Sequence, residues 1–152
     1  MKVKLIIDFL NKESYELVQE LVEYRKHNEL DLEIQGYDLN RTEEINNAYY
    51  GLYYSTRYGV ALEYVNRVLK AHYDEAKNIA QLDVLASCYR DVGFNPNDLI
   101  DAIMEGDFIG MHQYLQKAIS SEAIDNHCFA YIYDDEKELH IGKDAIINAI
   151  TK

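Results

Sequence analysis

The segment Asp8–Tyr15, with the sequence DFLNKESY, lies where an apolar run ends and an amphipathic run begins. Alternating apolar residues over 2–9 predict a strand that is buried on both faces. Asn11 can cap a helix whose apolar positions then follow helical spacing as far as Arg25. A strand that leads into a helix collects backbone N–H groups and the positive end of the helix dipole at one exposed corner. This corner is therefore the first candidate for a functional site.

A second strand follows the first helix closely. Leu30, Leu32 and Ile34 alternate with polar residues, and this pattern predicts a strand over Leu30–Tyr37. A strand, a helix and a strand in so short a segment form a βαβ unit, in which the two strands are parallel and the crossover is right-handed.

The next 80 or so residues predict only helices. Thr42 is expected to cap the first of them, with Glu43 and Glu44 in its first turn and Gly59 at its end. The last helix is predicted from Phe108 to Ala123. The expected inward-facing residues of these two helices are Ile45, Tyr49, Leu52 and Tyr53 in the first, and Met111, Leu115 and Ala118 in the last.

The chain then returns to strands. Cys128–Tyr133 is rich in residues that favour strands, 134–137 is a polar turn, and Glu138–Ile141 alternates again, so this segment predicts a β-hairpin. Gly142 ends it, and Asp144–Ile150 predicts a short terminal helix with an apolar face.

Composition narrows the possible functions. The 152 residues include 27 acidic and 15 basic ones, which gives a formal charge of −12 and makes nucleic acid and anionic membrane unexpected partners. No apolar run approaches the roughly 20 residues that span a bilayer. Two cysteines far apart in sequence, Cys88 and Cys128, are typical of buried thiols in a reducing compartment. We therefore expect a single cytoplasmic domain.

The order βαβ, helical block, ββα resembles the DsbA-like branch of the thioredoxin fold. Gly93-Phe94-Asn95-Pro96 is similar to the Gly-Leu-Asp-(Pro) that opens a late helix of that family's helical insertion. Ala123-Ile124 followed by Cys128–Tyr133 is similar to its Gly-Val and Val-Pro-Thr-Phe, and Gly142 stands where it has a glycine before the last helix. The resemblance implies an α/β, thioredoxin-like βαβ–ββα core formed by 1–40 and 124–152, with a mostly helical insertion over 41–123.

This branch includes thiol–disulfide oxidoreductases, kappa-class glutathione transferases and 2-hydroxychromene-2-carboxylate isomerases, and all place their chemistry at the strand-to-helix corner. The oxidoreductases have Cys-Pro-x-Cys there, and the helix terminus lowers the pKa of the first thiol. The transferases and isomerases resemble Ser-Pro-x-Ser, with the first serine holding the glutathione thiolate. Here the four residues are Asn11-Lys12-Glu13-Ser14. The family's cis-proline position falls on Cys128 or Phe129, and we expect a trans peptide there.

Each candidate residue has a functional and a structural interpretation. Asn11 could donate a hydrogen bond to a thiolate or carboxylate, or could only cap the helix. Ser14 could contact a ligand or satisfy the first turn, and Lys12 could lower the pKa of a nearby anion or be solvated. Asp8 could be a base with a raised pKa or could accept N–H bonds at the helix start. Cys128 could be the single thiol of a peroxidase or redox sensor, or a core residue.

The tyrosines of the first inserted helix, which include Tyr50 and Tyr54, could line a pocket for a flat or peptide ligand, or could fill space between neighbouring elements. Five histidines lack the spacing of metal ligands, so we expect no metal. The leading hypothesis is a redox-inactive binding or adaptor protein. It would hold a protein, a peptide or a small thiol between Asn11, Lys12, Ser14, Cys128, Phe129, Tyr50 and Tyr54.

The alternative hypothesis is a glutathione-dependent transferase or isomerase with Asn11 in the serine position. We expect no bound cofactor for the leading hypothesis, whereas the alternative requires glutathione. The sequence leaves open whether the chain forms a homodimer.

Overall fold

The computed structural model describes residues 1–40, 42–120 and 128–152. Over this part of the chain, strands and helices follow in the predicted order. Their bounds are β1 Lys2–Ile7, α1 Lys12–Arg25, β2 Asp31–Gly36, α2 Asn46–Arg57, α3 Ala61–Tyr73, α4 Leu82–Asp91, α5 Pro96–Met104, α6 Ile109–Ser120, β3 Phe129–Tyr133, β4 Lys137–Ile141 and α7 Lys143–Ile150.

The four strands form one sheet in the order β2-β1-β3-β4. The strands β1 and β2 are parallel, with Ile7 opposite Gly36. The pairs β1–β3 and β3–β4 are antiparallel, so the last two strands form the predicted hairpin. This is the βαβ–ββα arrangement that the sequence predicts, with α2 to α6 between β2 and β3.

The two faces of the sheet carry separate apolar clusters. On one face, Leu5 and Ile7 belong to the large core, which α1, α2, α3 and α7 share. On the other face, Ile6, Phe129 and Tyr131 form a smaller cluster, and Ile119 near the end of α6 packs against it. Alternation along β1 thus places successive side chains in different clusters.

The start of α2 differs from the prediction. Thr42 is not the cap: α2 begins at Asn46, and its N-cap residue, Ile45, makes no side-chain capping bond. The Thr42 hydroxyl instead donates to Oδ2 of Asp38 at 3.2 Å. The buried carboxylate of Asp38 organises this turn, so the helix starts one turn later than the capping pattern indicates.

The inward face of α6 also differs from the prediction. Met111 is 42 % exposed and Ala118 is exposed, whereas His112 and Ile119 are buried. Leu115 is partly buried against the large core. The helix is rotated by about one residue relative to its hydropathy pattern, because His112 finds a buried hydrogen-bond partner. The predicted end of this helix at Ala123, and the boundary at residues 123–124, lie outside the described residues.

Candidate functional site

The strand-to-helix corner is built around the cap of α1. The Asn11 backbone is extended, and its Oδ1 accepts a hydrogen bond from the Ser14 backbone N–H at 2.8 Å. The Asn11 N–H donates to the Asp8 carbonyl oxygen at 3.0 Å, which closes a tight turn between β1 and α1. Asn11 is therefore the helix cap that the sequence indicates.

Asp8 continues directly from β1 and joins three segments of the chain. Its Oδ1 accepts from the Leu10 N–H at 2.8 Å and lies 3.3 Å from the Tyr49 hydroxyl, and its Oδ2 accepts from the Leu39 N–H at 3.2 Å. Burial raises the pKa of Asp8, the two backbone N–H bonds oppose that rise, and the negative charge of Asp38 adds to it. Asp8 thus accepts N–H bonds at the helix start and has a raised pKa, while its role as a base stays a prediction.

Ser14 and Cys128 both lie below the surface. Ser14 is fully buried, and its hydroxyl accepts from the Asp8 N–H at 3.2 Å. Cys128 is 2 % exposed, and its Sγ lies 3.7 Å from Oε1 of Glu13. Burial, together with the Glu13 charge, raises the pKa of Cys128 to about 12. The thiolate that redox or peroxidase chemistry needs is therefore disfavoured at this residue.

The remaining candidate residues are spread over the molecule. Lys12 is exposed at the first position of α1. Phe129 is buried in the smaller cluster on the opposite face of the sheet from Ser14 and Cys128. Tyr54 packs among rings of the helical layer, including Tyr58, Tyr89 and Phe108. The structure therefore gathers Asn11, Ser14 and Cys128 at the corner and holds Phe129 and Tyr54 elsewhere, while ligand contacts by any of these residues stay a prediction.

Tyr50 lines a cavity of about 430 Å³ between the segment that follows β2, the start of α2, and α6. The walls include Asp38, Glu43, His112, Gln116 and Lys117. Cavities of a few hundred cubic ångströms are typical of small-molecule sites. Tyr50, one of the two predicted ligand-binding tyrosines, thus lines a cavity of this size.

His112 is one of several wall residues that were not predicted as site residues from the sequence. Its Nδ1 lies 2.8 Å from the Tyr53 hydroxyl, and its ring stacks on Tyr49 with 5.1 Å between centroids. Burial lowers the pKa of His112, and the charge of Asp38 partly opposes this effect. The imidazole is therefore held neutral in an aromatic environment. The sequence gives little indication that His112 is buried. The neighbouring Met111 is the more apolar residue, so hydropathy predicts that Met111 faces inward instead.

Gln116 and Asp38 bind each other across the cavity wall. The Asp38 N–H donates to Oε1 of Gln116 at 2.9 Å, and Nε2 of Gln116 donates to the Asp38 carbonyl oxygen at 3.2 Å. Oδ2 of Asp38 accepts from the Thr42 hydroxyl and the Glu43 N–H, each at 3.2 Å. Oδ1 of Asp38 is buried and has no partner among the described residues.

Tyr49 connects the corner to the cavity. Its hydroxyl lies 3.2 Å from the Tyr37 carbonyl oxygen and accepts from the Phe9 N–H at 3.4 Å, in addition to its contact with Asp8. On the side of the cavity, the ring of Tyr49 stacks on the ring of His112. One buried side chain therefore touches the end of β1 and the wall of the cavity.

Metal ligands and membrane spans are absent from the described part of the chain. Across residues 1–40, 42–120 and 128–152, no three His, Cys, Asp or Glu side chains group as metal ligands. Within the same ranges, no helix has the length and apolar character needed to cross a bilayer.

No family model and no curated protein matches this chain. Solved structures do match. A 2-hydroxychromene-2-carboxylate isomerase superimposes with a TM-score of 0.82 at 16 % identity, over 99 % of this chain and 93 % of that one. The cytosolic disulfide reductase DsbM of Pseudomonas aeruginosa gives 0.71 at 13 % identity, over 91 % and 88 % of the two chains. DsbA of Chlamydia trachomatis gives 0.67 at 18 % identity, over 99 % and 84 %.

These likenesses extend over nearly the whole chain, and they agree with the sheet order and the helical block between β2 and β3. The sequence identities are low, so the likenesses bear on architecture. The chain has the DsbA-like thioredoxin fold.

Proposed function

We propose that this chain is a binding protein without thiol–disulfide exchange activity, and that it holds a peptide segment of a partner protein, or a small thiol, at the corner between β1 and α1. The observation that carries the proposal is the burial of both cysteines: Cys88 is 1 % and Cys128 is 2 % exposed. Thiol exchange requires an accessible thiolate, and burial raises the pKa of each of these thiols.

The residues at the corner support binding rather than reaction. The first turn of α1 lies at the positive end of the helix dipole, and Lys12 is exposed there. Asn11 and Ser14 replace the two cysteines of the oxidoreductase motif, and neither side chain is a nucleophile comparable to a thiolate. Such a corner favours an anionic or thiol group of a ligand. Two unpaired cysteines and the acidic composition also support a cytoplasmic location, which we propose with it.

Reduction of insulin by dithiothreitol tests the proposal. We expect the protein to leave the rate of insulin precipitation unchanged, and Cys128→Ser to behave in the same way. The control is an Asn11→Cys, Ser14→Cys double variant, which places cysteines at both positions of the oxidoreductase motif and is expected to raise the rate. Clear catalysis by the native chain that Cys128→Ser abolishes would contradict the proposal.

A second candidate function is a glutathione-dependent isomerase or transferase, with Asn11 in the position of the reactive serine. The TM-score of 0.82 with 2-hydroxychromene-2-carboxylate isomerase favours it. The Asn11 carboxamide oxygen is engaged by the Ser14 N–H, so in this function its amide N–H would have to donate to the thiolate.

A titration with glutathione, followed by backbone amide NMR shifts, separates the two functions. The isomerase or transferase candidate predicts shifts around Asn11 and Lys12 at millimolar glutathione, and their loss in Asn11→Asp, which keeps the cap but repels the thiolate. An unperturbed corner at millimolar glutathione removes this candidate. S-methylglutathione is the matched ligand, because it cannot form a thiolate.

A further inference from the structure

The wall of the cavity beside Tyr50 contains a buried acceptor that no residue of the described ranges satisfies. The Asp38 side chain is buried to all but 2 % and lies in the wall of this cavity. Its Oδ2 accepts two hydrogen bonds, whereas Oδ1 has none from any residue that the structure describes. Buried polar atoms in folded proteins almost always have a partner. A cavity next to such an oxygen can admit a group that donates to it.

The groups around Oδ1 favour a positively charged donor. Glu43 brings a second carboxylate to the same wall, and Tyr50 and His112 bring aromatic rings whose centroids lie 5.7 Å apart at an angle of 87°. Carboxylates and ring faces together are the usual surroundings of a bound organic cation. Burial disfavours the charged form of the His112 imidazole, so this ring adds no opposing charge near neutral pH.

The remaining charge in the described wall is that of Lys117, which is exposed on α6. Two carboxylates and one ammonium group leave the wall with a net negative charge. The polar groups of Gln116 are occupied, because its amide binds both the N–H and the carbonyl oxygen of Asp38. The acceptors that a cationic ligand would meet in this wall therefore include the carboxylates of Asp38 and Glu43.

We propose that this cavity is a binding site for a small organic cation, in which an ammonium group of the ligand donates to Oδ1 of Asp38 and its apolar part packs against Tyr50 and His112. The volume of about 430 Å³ is sufficient for one aromatic ring with a short amine. The site is distinct from the corner at Asn11, since Tyr49 lies between the two, and it does not depend on the proposed loss of thiol exchange.

The test uses benzylamine as the probe and benzyl alcohol as its neutral counterpart of nearly equal size. Backbone amide shifts of the intact protein are followed while each compound is added to millimolar concentration. We expect benzylamine to shift the amides of residues 38, 43, 50 and 112 in a saturable way, and benzyl alcohol to bind at least tenfold more weakly. Equal shifts with both compounds, or no shift in the cavity with benzylamine, would overturn the proposal.

Variants of the acidic residues show which carboxylate contributes to benzylamine binding. Asp38→Asn is expected to weaken benzylamine binding at least tenfold, and Glu43→Gln several-fold. Glu44→Gln removes the same charge from the neighbouring exposed residue, which does not line the cavity, and is expected to change the affinity less than twofold.

If Asp38→Asn fails to fold, two comparisons still test the proposal. One compares Glu43→Gln with Glu44→Gln, and the other compares the two probes. An unchanged affinity in a folded Asp38→Asn protein, or equal effects of the two glutamate variants, would contradict the assignment.

Discussion

The hydroxyl of Tyr49 lies 3.3 Å from Oδ1 of Asp8, and this contact joins α2, the first helix of the helical block, to the end of the first strand. The two residues are 41 positions apart in sequence. Tyr49 is fully buried and Asp8 is half-buried, and the same hydroxyl also contacts the backbone of Phe9 and Tyr37. Tyr49 therefore links the corner to the wall of the cavity.

Removal of this hydroxyl tests the arrangement. Tyr49→Phe leaves the Phe9 N–H and part of the Asp8 carboxylate without their partner below the surface. We expect a loss of about 1–3 kcal/mol in the free energy of unfolding, measured with urea. Tyr114→Phe is the control, because Tyr114 is 72 % exposed, and it is expected to stay within about 0.5 kcal/mol of the native chain. Equal stability of both variants would show that the Tyr49 hydroxyl does not stabilise the fold.

Asp8 is expected to titrate above its ordinary pKa of 3.8. Its folded pKa is raised, so the folded chain holds this proton more tightly than the unfolded chain does. The associated stability is present below 3.8 and is lost as the pH rises through the folded pKa. An NMR titration of the Asp8 carboxyl carbon measures the midpoint directly, and Asp8→Asn should abolish this part of the pH dependence. A midpoint at or below 3.8 would contradict the burial argument.

His112 shows the opposite dependence on pH. Its folded pKa is lowered from 6.5, so the unfolded chain binds this proton more readily, and the free energy of unfolding should decrease as the pH falls below 6.5. We expect the native chain to lose more stability over that range than His112→Gln, whose amide can still bond the Tyr53 hydroxyl. Parallel curves for the two proteins would mean that His112 does not contribute.

Replacement by alanine should change the stability of the chain in opposite directions at two helical glycines. A Cβ on Gly51 would lie 2.1 Å from the hydroxyl oxygen of Tyr64, which is fully buried and donates to the Ala48 carbonyl oxygen. Gly51→Ala is therefore expected to cost about 1–3 kcal/mol. A methyl group added at Gly110 in α6 would meet open space, with no neighbouring heavy atom within 4 Å, and Gly110→Ala should stabilise the chain by about 0.5–1 kcal/mol. Urea unfolding of both variants checks the sign of each effect.

Both thiols should react slowly in the folded protein. Cys88 and Cys128 are buried with raised pKa values, so a disulfide reagent that releases a coloured thiol should show no fast phase until the chain is unfolded. Cys88→Ser and Cys128→Ser assign whichever thiol reacts first. A fast phase that disappears only in Cys128→Ser would support a redox role for that residue.

The order of strands and helices could be predicted because each element has a clear local period. Apolar residues alternate along β1, β2 and the hairpin, and they follow helical spacing along α1. The patterns match the structure because these segments bury one or both faces. Helix starts were less predictable. Thr42 has the local features of a cap, but a carboxylate four residues earlier binds it instead.

The candidate site was only partly predictable. Asn11 was identified because capping depends on residues within one turn. For the cavity, Tyr50 was the one wall residue proposed as a site residue, because the wall also depends on the contact between Asp38 and Gln116, which are 78 positions apart and both polar. His112 was missed because hydropathy ranks Met111 as the inward residue, whereas the Tyr53 hydroxyl makes burial of the histidine favourable.

The two hydrogen bonds between Gln116 and Asp38 also occupy backbone groups next to the edge of the sheet. The strand β2 lies at its edge, and the Tyr37 N–H still donates inward to the Ile7 carbonyl oxygen. Because peptide groups alternate along a strand, those of Asp38 point outward, where another chain could pair with them. The Gln116 amide occupies both groups at this point. A side chain of α6 thus occupies, just beyond the end of β2, two backbone groups with which the strand of another chain could otherwise pair.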